Sequence, residues 1–71
     1  MNALVKLKNG DRYLVQNLKS IKRINPFSDS DSETLITEYD SFAVYAGAHI
    51  FVGDNILTVE GDDILSVMFS P

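Results

Sequence analysis

With 71 residues and no cysteine, the chain makes one small domain, residues 1–71, with neither a disulfide nor a thiolate metal site to hold it together. Its 45% hydrophobic content is enough for a core and excludes intrinsic disorder, and no apolar stretch approaches the roughly 18 residues of a membrane helix. The net charge of −4 hides a partition: residues 1–25 carry six cations and one acid (+5), whereas residues 26–71 carry nine acids and no cation (−9).

The start, MNALVKLKNGD, has no secretory apolar region, which leads us to expect a cytoplasmic protein. Ala3, Val5 and Leu7 alternate with Leu4, Lys6 and Lys8, the period of a half-buried strand near 3–8. Asn9-Gly10 is a strong hairpin signal and predicts a type I′ turn, with a return strand from Arg12. Residues 17–24 are ambiguous. Leu14, Leu18 and Ile21 have helical spacing, but a return strand has just begun. The preferred reading is one long, bent strand from Arg12 to about Ile24, with Asn17 as a bulge that reverses the facing. Asn25-Pro26 ends that element, because the residue before proline leaves the helical region and proline donates no ladder bond.

Residues 28–33, SDSDSE, read as a polar loop, and a β pattern resumes over 34–38. Residues 40–47 are the second ambiguity. Phe42, Val44 and Ala46 alternate as in a strand, which is preferred; a short helix capped by Asp40 or Ser41 and stopped at Gly47 competes. Three apolar runs near 48–52, 56–60 and 64–69, cut by Gly53-Asp54-Asn55 and Gly61-Asp62-Asp63, predict a closing meander. Period two assigns Val5, Leu7, Val15, Leu57, Val59, Leu65 and Val67 to the core. It leaves Ile56, Ile64 and Met68 on a second face. That face suits self-association as a symmetric homodimer, although a closed barrel would hide the same residues.

The expected fold is therefore all-β, a five- to six-stranded meander with room for one short helix. Residues 5–11 leading into 13–21, then Phe51-Val52-Gly53-Asp54-Asn55 and Asp63-Ile64-Leu65-Ser66-Val67, resemble the small SH3-like and Sm-like barrels. They also resemble short uncharacterised proteins of phages and prophages of Gram-positive bacteria. The resemblance covers most of the chain and implies closure into an SH3-like barrel, without assigning any residue a role.

No constellation for catalysis is visible, so the chain is not expected to be an enzyme. The only histidine, His49, has no cysteine or nucleophile elbow to work with and reads as a surface or rim residue. Asp29-Ser30-Asp31-Ser32-Glu33 superficially suits Ca²⁺ but lacks the glycine and distant glutamate of an EF-hand loop. It reads as a solvated acidic loop, and no metal or cofactor is expected. Two surfaces remain. Asp29, Asp31, Glu33, Asp62 and Asp63, with Phe27 as an exposed anchor, are the candidate docking surface for a basic protein partner. In that reading the chain is a non-enzymatic interaction module, a phage- or prophage-borne modulator of a host protein. Lys19, Lys22 and Arg23, joined by Lys6, Lys8 and Arg12, are the alternative, a basic face for a nucleotide or short nucleic acid on a self-assembling barrel. The overall acidity weighs against it, because counterion release needs a net basic surface.

Overall fold

The computed structural model describes residues 1–24, 33–39, 42–44 and 46–71, with Glu33 described by its backbone. They form seven strands: β1 Asn2–Leu7, β2 Arg12–Val15, β3 Ser20–Ile24, β4 Glu33–Ile36, β5 Ala48–Val52, β6 Ile56–Glu60 and β7 Ile64–Ser70, with a 3₁₀ turn, Gly61–Asp63, between β6 and β7. All pairings are antiparallel. They build a three-stranded sheet, β2-β1-β7, and a four-stranded sheet, β4-β3-β5-β6. The protein is thus nearly all-β, as its period-two runs predict.

The two sheets face one another across the core. Ala3, Val5, Val15 and Ile64 from one sheet and Ile21 and Phe51 from the other are buried. Leu7, Leu18, Ile36, Tyr39, Phe42, Leu57, Val59, Val67 and Phe69 pack around them. Each large apolar side chain so buried contributes roughly 1.5–3 kcal/mol. Tyr39 stacks on Phe69 with centroids 4.8 Å apart, and the Phe42 ring meets Phe69 edge-on at 5.4 Å.

The β1–β2 hairpin forms as Asn9-Gly10 predicts, but with a different turn. Gly10 alone adopts a positive φ, 97°, so the loop is not type I′. Gly10 N–H donates to Leu7 O (3.0 Å) and Leu7 N–H to Asp11 O (2.8 Å), a three-residue loop with glycine in the left-handed position. The Asn9 side chain accepts from Asp11 N–H at 2.9 Å and fixes that loop.

Residues 12–24 are two strands in two different sheets and not one bent strand. The break is at Asn17, whose φ of 53° turns the chain through a corner. The corner is tied to both sheets. Leu18 N–H donates to Met1 O (2.7 Å), Lys19 N–H to Val52 O (2.7 Å) and Asp54 N–H to Gln16 O (2.8 Å). Gly53 is required at this crossing: a Cβ there would lie 2.5 Å from Gln16 O and 2.8 Å from Val15 Cγ1.

The preferred strand over 40–47 is not found. Residues 42–44 carry no ladder, and Asp40, Ser41 and Tyr45 lie outside the described residues. Phe42 N–H instead donates to Tyr39 O at 3.2 Å, and the Phe42 ring lies against Phe51 and Phe69 of the core. Of the alternating apolar residues, Phe42 covers the core, while Val44 and Ala46 are exposed.

One core assignment is inverted. Leu65 is 65% exposed and Ile64 is buried. Lys6 pairs with Ser66 but Leu7 pairs with Ile64, so Leu65 is the extra residue of a bulge. A bulge shifts facing by one residue, which period two alone does not foresee. It also splits the expected second face. Ile64 points into the core, Ile56 (69% exposed) lies outside the four-stranded sheet, and Met68 (62% exposed) outside the three-stranded one.

Candidate interaction surfaces

Register decides which charged residues meet. Along one row of the four-stranded sheet, Glu33 pairs with Ile24, Ile24 with Ala48 and Ala48 with Glu60. The two backbone positions that flank residues 25–32 therefore lie at the same end of the sheet as the 3₁₀ turn that follows Glu60. Asp62 and Asp63 are exposed in that turn. Asp29, Asp31 and Phe27, and the side chain of Glu33, lie outside the described residues. What the fold fixes is that the segment carrying them leaves and re-enters the sheet at the same end as Asp62 and Asp63, from the two strands farthest from that turn, about 10 and 14 Å across the ladder. The other acid-bearing turn, Gly53-Asp54-Asn55, is at the opposite end of β6, about 17 Å away along five strand residues.

Lys8 is tied to the 3₁₀ turn by its backbone. Its backbone N–H donates to Asp63 O at 2.9 Å, and among the described residues its ammonium pairs with neither Asp62 nor Asp63.

The candidate basic residues are dispersed. Lys22 and Arg23 are consecutive on β3, so alternation sends Lys22 to the outer face and Arg23 to the inner one. Arg23 reaches the covering segment, with Nη1 donating to Ala43 O at 3.3 Å. Lys19 sits in the corner before β3. A different basic feature forms on the outer face of the three-stranded sheet. Arg12 pairs with Lys6, and Lys6 pairs with Ser66. Guanidinium, ammonium and hydroxyl thus stand side by side, and no strand of that sheet contains a carboxylate. The sequence did not show this pairing, because the expected two-residue Asn-Gly turn would set Lys6 opposite Tyr13, and only the three-residue loop sets it opposite Arg12.

His49 is not a rim residue. It is fully buried, 0% exposed, on the inner face of β5. Its Nδ1 lies 3.0 Å from Gly47 O, the carbonyl that also accepts Gly61 N–H at 2.8 Å. Because that carbonyl only accepts, Nδ1 carries the proton and Nε2 is the bare nitrogen of a neutral ring. Nε2 is buried without a partner, and the imidazole meets the Phe42 ring edge-on with centroids 6.3 Å apart. Burial pushes the His49 pKa below its usual value. The Gly47 bond opposes that shift, Arg23 across the ladder adds to it, and Glu60 opposes it. The imidazole is a structural latch between the segment before β5 and the 3₁₀ turn. Among the described residues no nucleophile is hydrogen-bonded to it.

Among the described residues no three His, Asp or Glu side chains gather as a metal site, and no helix is long and apolar enough to cross a membrane. No protein-family model, curated protein or solved structure matches the chain.

Proposed function

We propose that this protein is a non-enzymatic interaction module that docks a basic protein partner through its acidic end, and that its two sheets form an SH3-like barrel. The observation that carries the reading is the convergence described above. Ile24 and Glu33, the ends from which the SDSDSE segment departs, share one end of the four-stranded sheet with Asp62 and Asp63. A chain with −9 after residue 25 concentrates charge there, and a concentrated field steers association with an oppositely charged partner. In keeping with its resemblance to short phage proteins, we read it as a phage- or prophage-borne modulator of a host protein, acting in the cytoplasm. Capture from a nuclease-treated host lysate tests this. Neutralising Asp29, Asp31 and Glu33 together should abolish salt-sensitive capture and leave the melting temperature unchanged. A sharp fall in melting temperature with capture intact would make the loop a structural counter-charge and overturn the reading.

One observation favours a second reading, in which the basic N-terminal face binds a nucleotide or short nucleic acid. Lys6 and Arg12 are directly opposed like charges, an arrangement that destabilises a sheet unless something neutralises it. Among the described residues neither makes an ion pair. Phosphate oxygens bound between them and Ser66 would supply the neutralisation. Fluorescence anisotropy with a labelled oligonucleotide checks it: binding that weakens with salt and is lost in Lys6→Glu supports this face, and no binding at low salt removes it.

A further inference from the structure

The last strand, β7, ends the three-stranded sheet with an open edge. The alternation along β1 shows which groups face it. Leu7 N–H donates to Asp11 O and Leu7 O accepts from Gly10 N–H, so Leu7 bonds toward β2, whereas Lys8 N–H donates to Asp63 O on the β7 side. Antiparallel ladders alternate, so Leu4 and Lys6 bond toward β7. Their partners Met68 and Ser66 therefore turn their backbone groups to β1, and Val67 and Phe69 turn N–H and C=O outward. No hydrogen bond among the described residues reaches those four groups. The opposite edge of the same sheet is closed: Asn55 Nδ2 donates to Leu14 O at 3.3 Å, and Asp54 N–H to Gln16 O at 2.8 Å. Of the edge strands among the described residues, β2 carries Arg12, β4 Glu33 and β6 Glu60, but β7, ILSVMFS, carries no charge. Its bulge at Leu65 leaves residues 66–70 in unbroken register. An edge without a charge, a proline or a cover is a template for another strand.

We propose that two copies of this chain join β7 to β7, antiparallel about a two-fold axis at Met68, making one continuous six-stranded sheet. The occupant is argued from self-complementarity. With Met68 opposite its own counterpart, the N–H and C=O of Val67 face those of the other copy's Phe69, and those of Phe69 face the other copy's Val67. This register pairs all four free groups of each copy at once, as an isologous contact requires. The side chains agree on both faces. Outside, Leu14 (46% exposed), Leu4 and Met68 (62% exposed) form one ladder row, which the axis continues into the same row of the other copy. The neighbouring row, Arg12-Lys6-Ser66, continues into the other copy's Ser70 and Asn2, so no like charges meet across the seam. Inside, the half-buried Val67 and Phe69 gain the other copy's Phe69 and Val67 as neighbours. A charged foreign peptide would find no counter-charge on β7, whereas a second β7 needs none. The lack of any disulfide in a 71-residue domain points the same way, since such domains gain stability by association. The seam is a single strand pair, well below the roughly 800 Å² per partner of a standard interface, so the dimer is a weak one. This inference uses neither the acidic end nor the basic face and stands without them.

Amide hydrogen exchange of the full chain, from about 10 µM to about 1 mM and with sedimentation velocity alongside, tests it. Wild type should shift from monomer to dimer with concentration. The Val67 and Phe69 amides, fast to exchange when dilute, should gain protection in step. Met68→Lys sets like charges against each other at the axis and should weaken dimerisation about tenfold or more with an unchanged far-UV spectrum. Ile56→Lys, at a comparably exposed position on the other sheet, should dimerise as wild type does. Met68→Cys should give a disulfide-linked dimer on mild oxidation, because residues opposed at a non-hydrogen-bonded position have Cα atoms about 4.5 Å apart, within disulfide reach. Ile56→Cys should cross-link far more slowly. A monomer throughout, protection of these amides only after a cell lysate is added, dimerisation without their protection, larger open assemblies, or Ile56→Cys cross-linking as fast as Met68→Cys would each overturn the proposal.

Discussion

The side-chain amide of Asn17 donates to the Asp54 carboxylate at 2.7 Å, and this bond closes the corner at which the chain leaves one sheet for the other. Asn17 supplies both the left-handed backbone, φ 53°, and the donor, while its own N–H bonds to Asn2 Oδ1 at 3.1 Å. Asparagine tolerates that conformation because its short polar side chain bonds locally.

Asn17→Ala should accordingly lose about 1–2 kcal/mol, from left-handed strain together with a missing hydrogen bond. Asn17→Gly should lose less, since glycine adopts the same φ without strain. Urea denaturation midpoints of the two variants separate the backbone contribution from the side-chain one. Equal midpoints would show that the conformation itself costs nothing.

Gly53→Ala should be among the most disruptive small changes in the protein. Its Cβ would meet the backbone oxygen of Gln16 at 2.5 Å, and that oxygen is held by Asp54 N–H and cannot retreat freely. We expect a loss of about 1–3 kcal/mol, the usual range for overpacking. Thermal unfolding measures it, and a variant as stable as wild type would mean that the two sheets part easily at this corner.

The bulge at Leu65 makes a paired prediction. Ile64→Ala should cost about 2–5 kcal/mol because it opens a cavity in the core. Leu65→Ala, at an exposed position, should stay within about 0.5 kcal/mol of wild type. Chemical denaturation of both variants decides the facing, and the reverse order would mean that β7 follows unbroken period two.

Stability should fall with acid between about pH 7 and pH 5.5, through His49. Burial lowers its folded-state pKa, so as pH falls through the unfolded value of about 6.5 the unfolded chain gains a proton that the folded ring resists. Stability is therefore full above that value and declines below it, until the pH passes the folded-state value. The chain has no other histidine, so His49→Leu should flatten the dependence in this window. Denaturation midpoints measured across these pH values check the sign. A wild type that grows more stable toward acid would mean that His49 is held charged beside Glu60.

By itself the sequence determined what local chemistry determines. Alternation near residues 3–8, 56–60 and 64–69 and the Gly-Asp turns marked the strands, and Asn9-Gly10 marked the hairpin, because side-chain period and turn conformation are properties of short stretches. The charge partition was equally legible. Tertiary structure decided the rest. Whether Asn17 bends one strand or separates two depends on bonds to Met1, Val52 and Asp54, each distant in sequence from the corner or contributed by the other sheet. Phe42 became a cover because Phe69 and Phe51 offered it a place to pack. Leu65 was turned outward by a register shift against β1. His49 was buried because a Gly47 carbonyl, itself fixed by Gly61, satisfies its one proton. The physical reason is common to all four. Facing and burial depend on which partner lies across the ladder or the core, and that partner is set by long-range pairing that no local pattern contains.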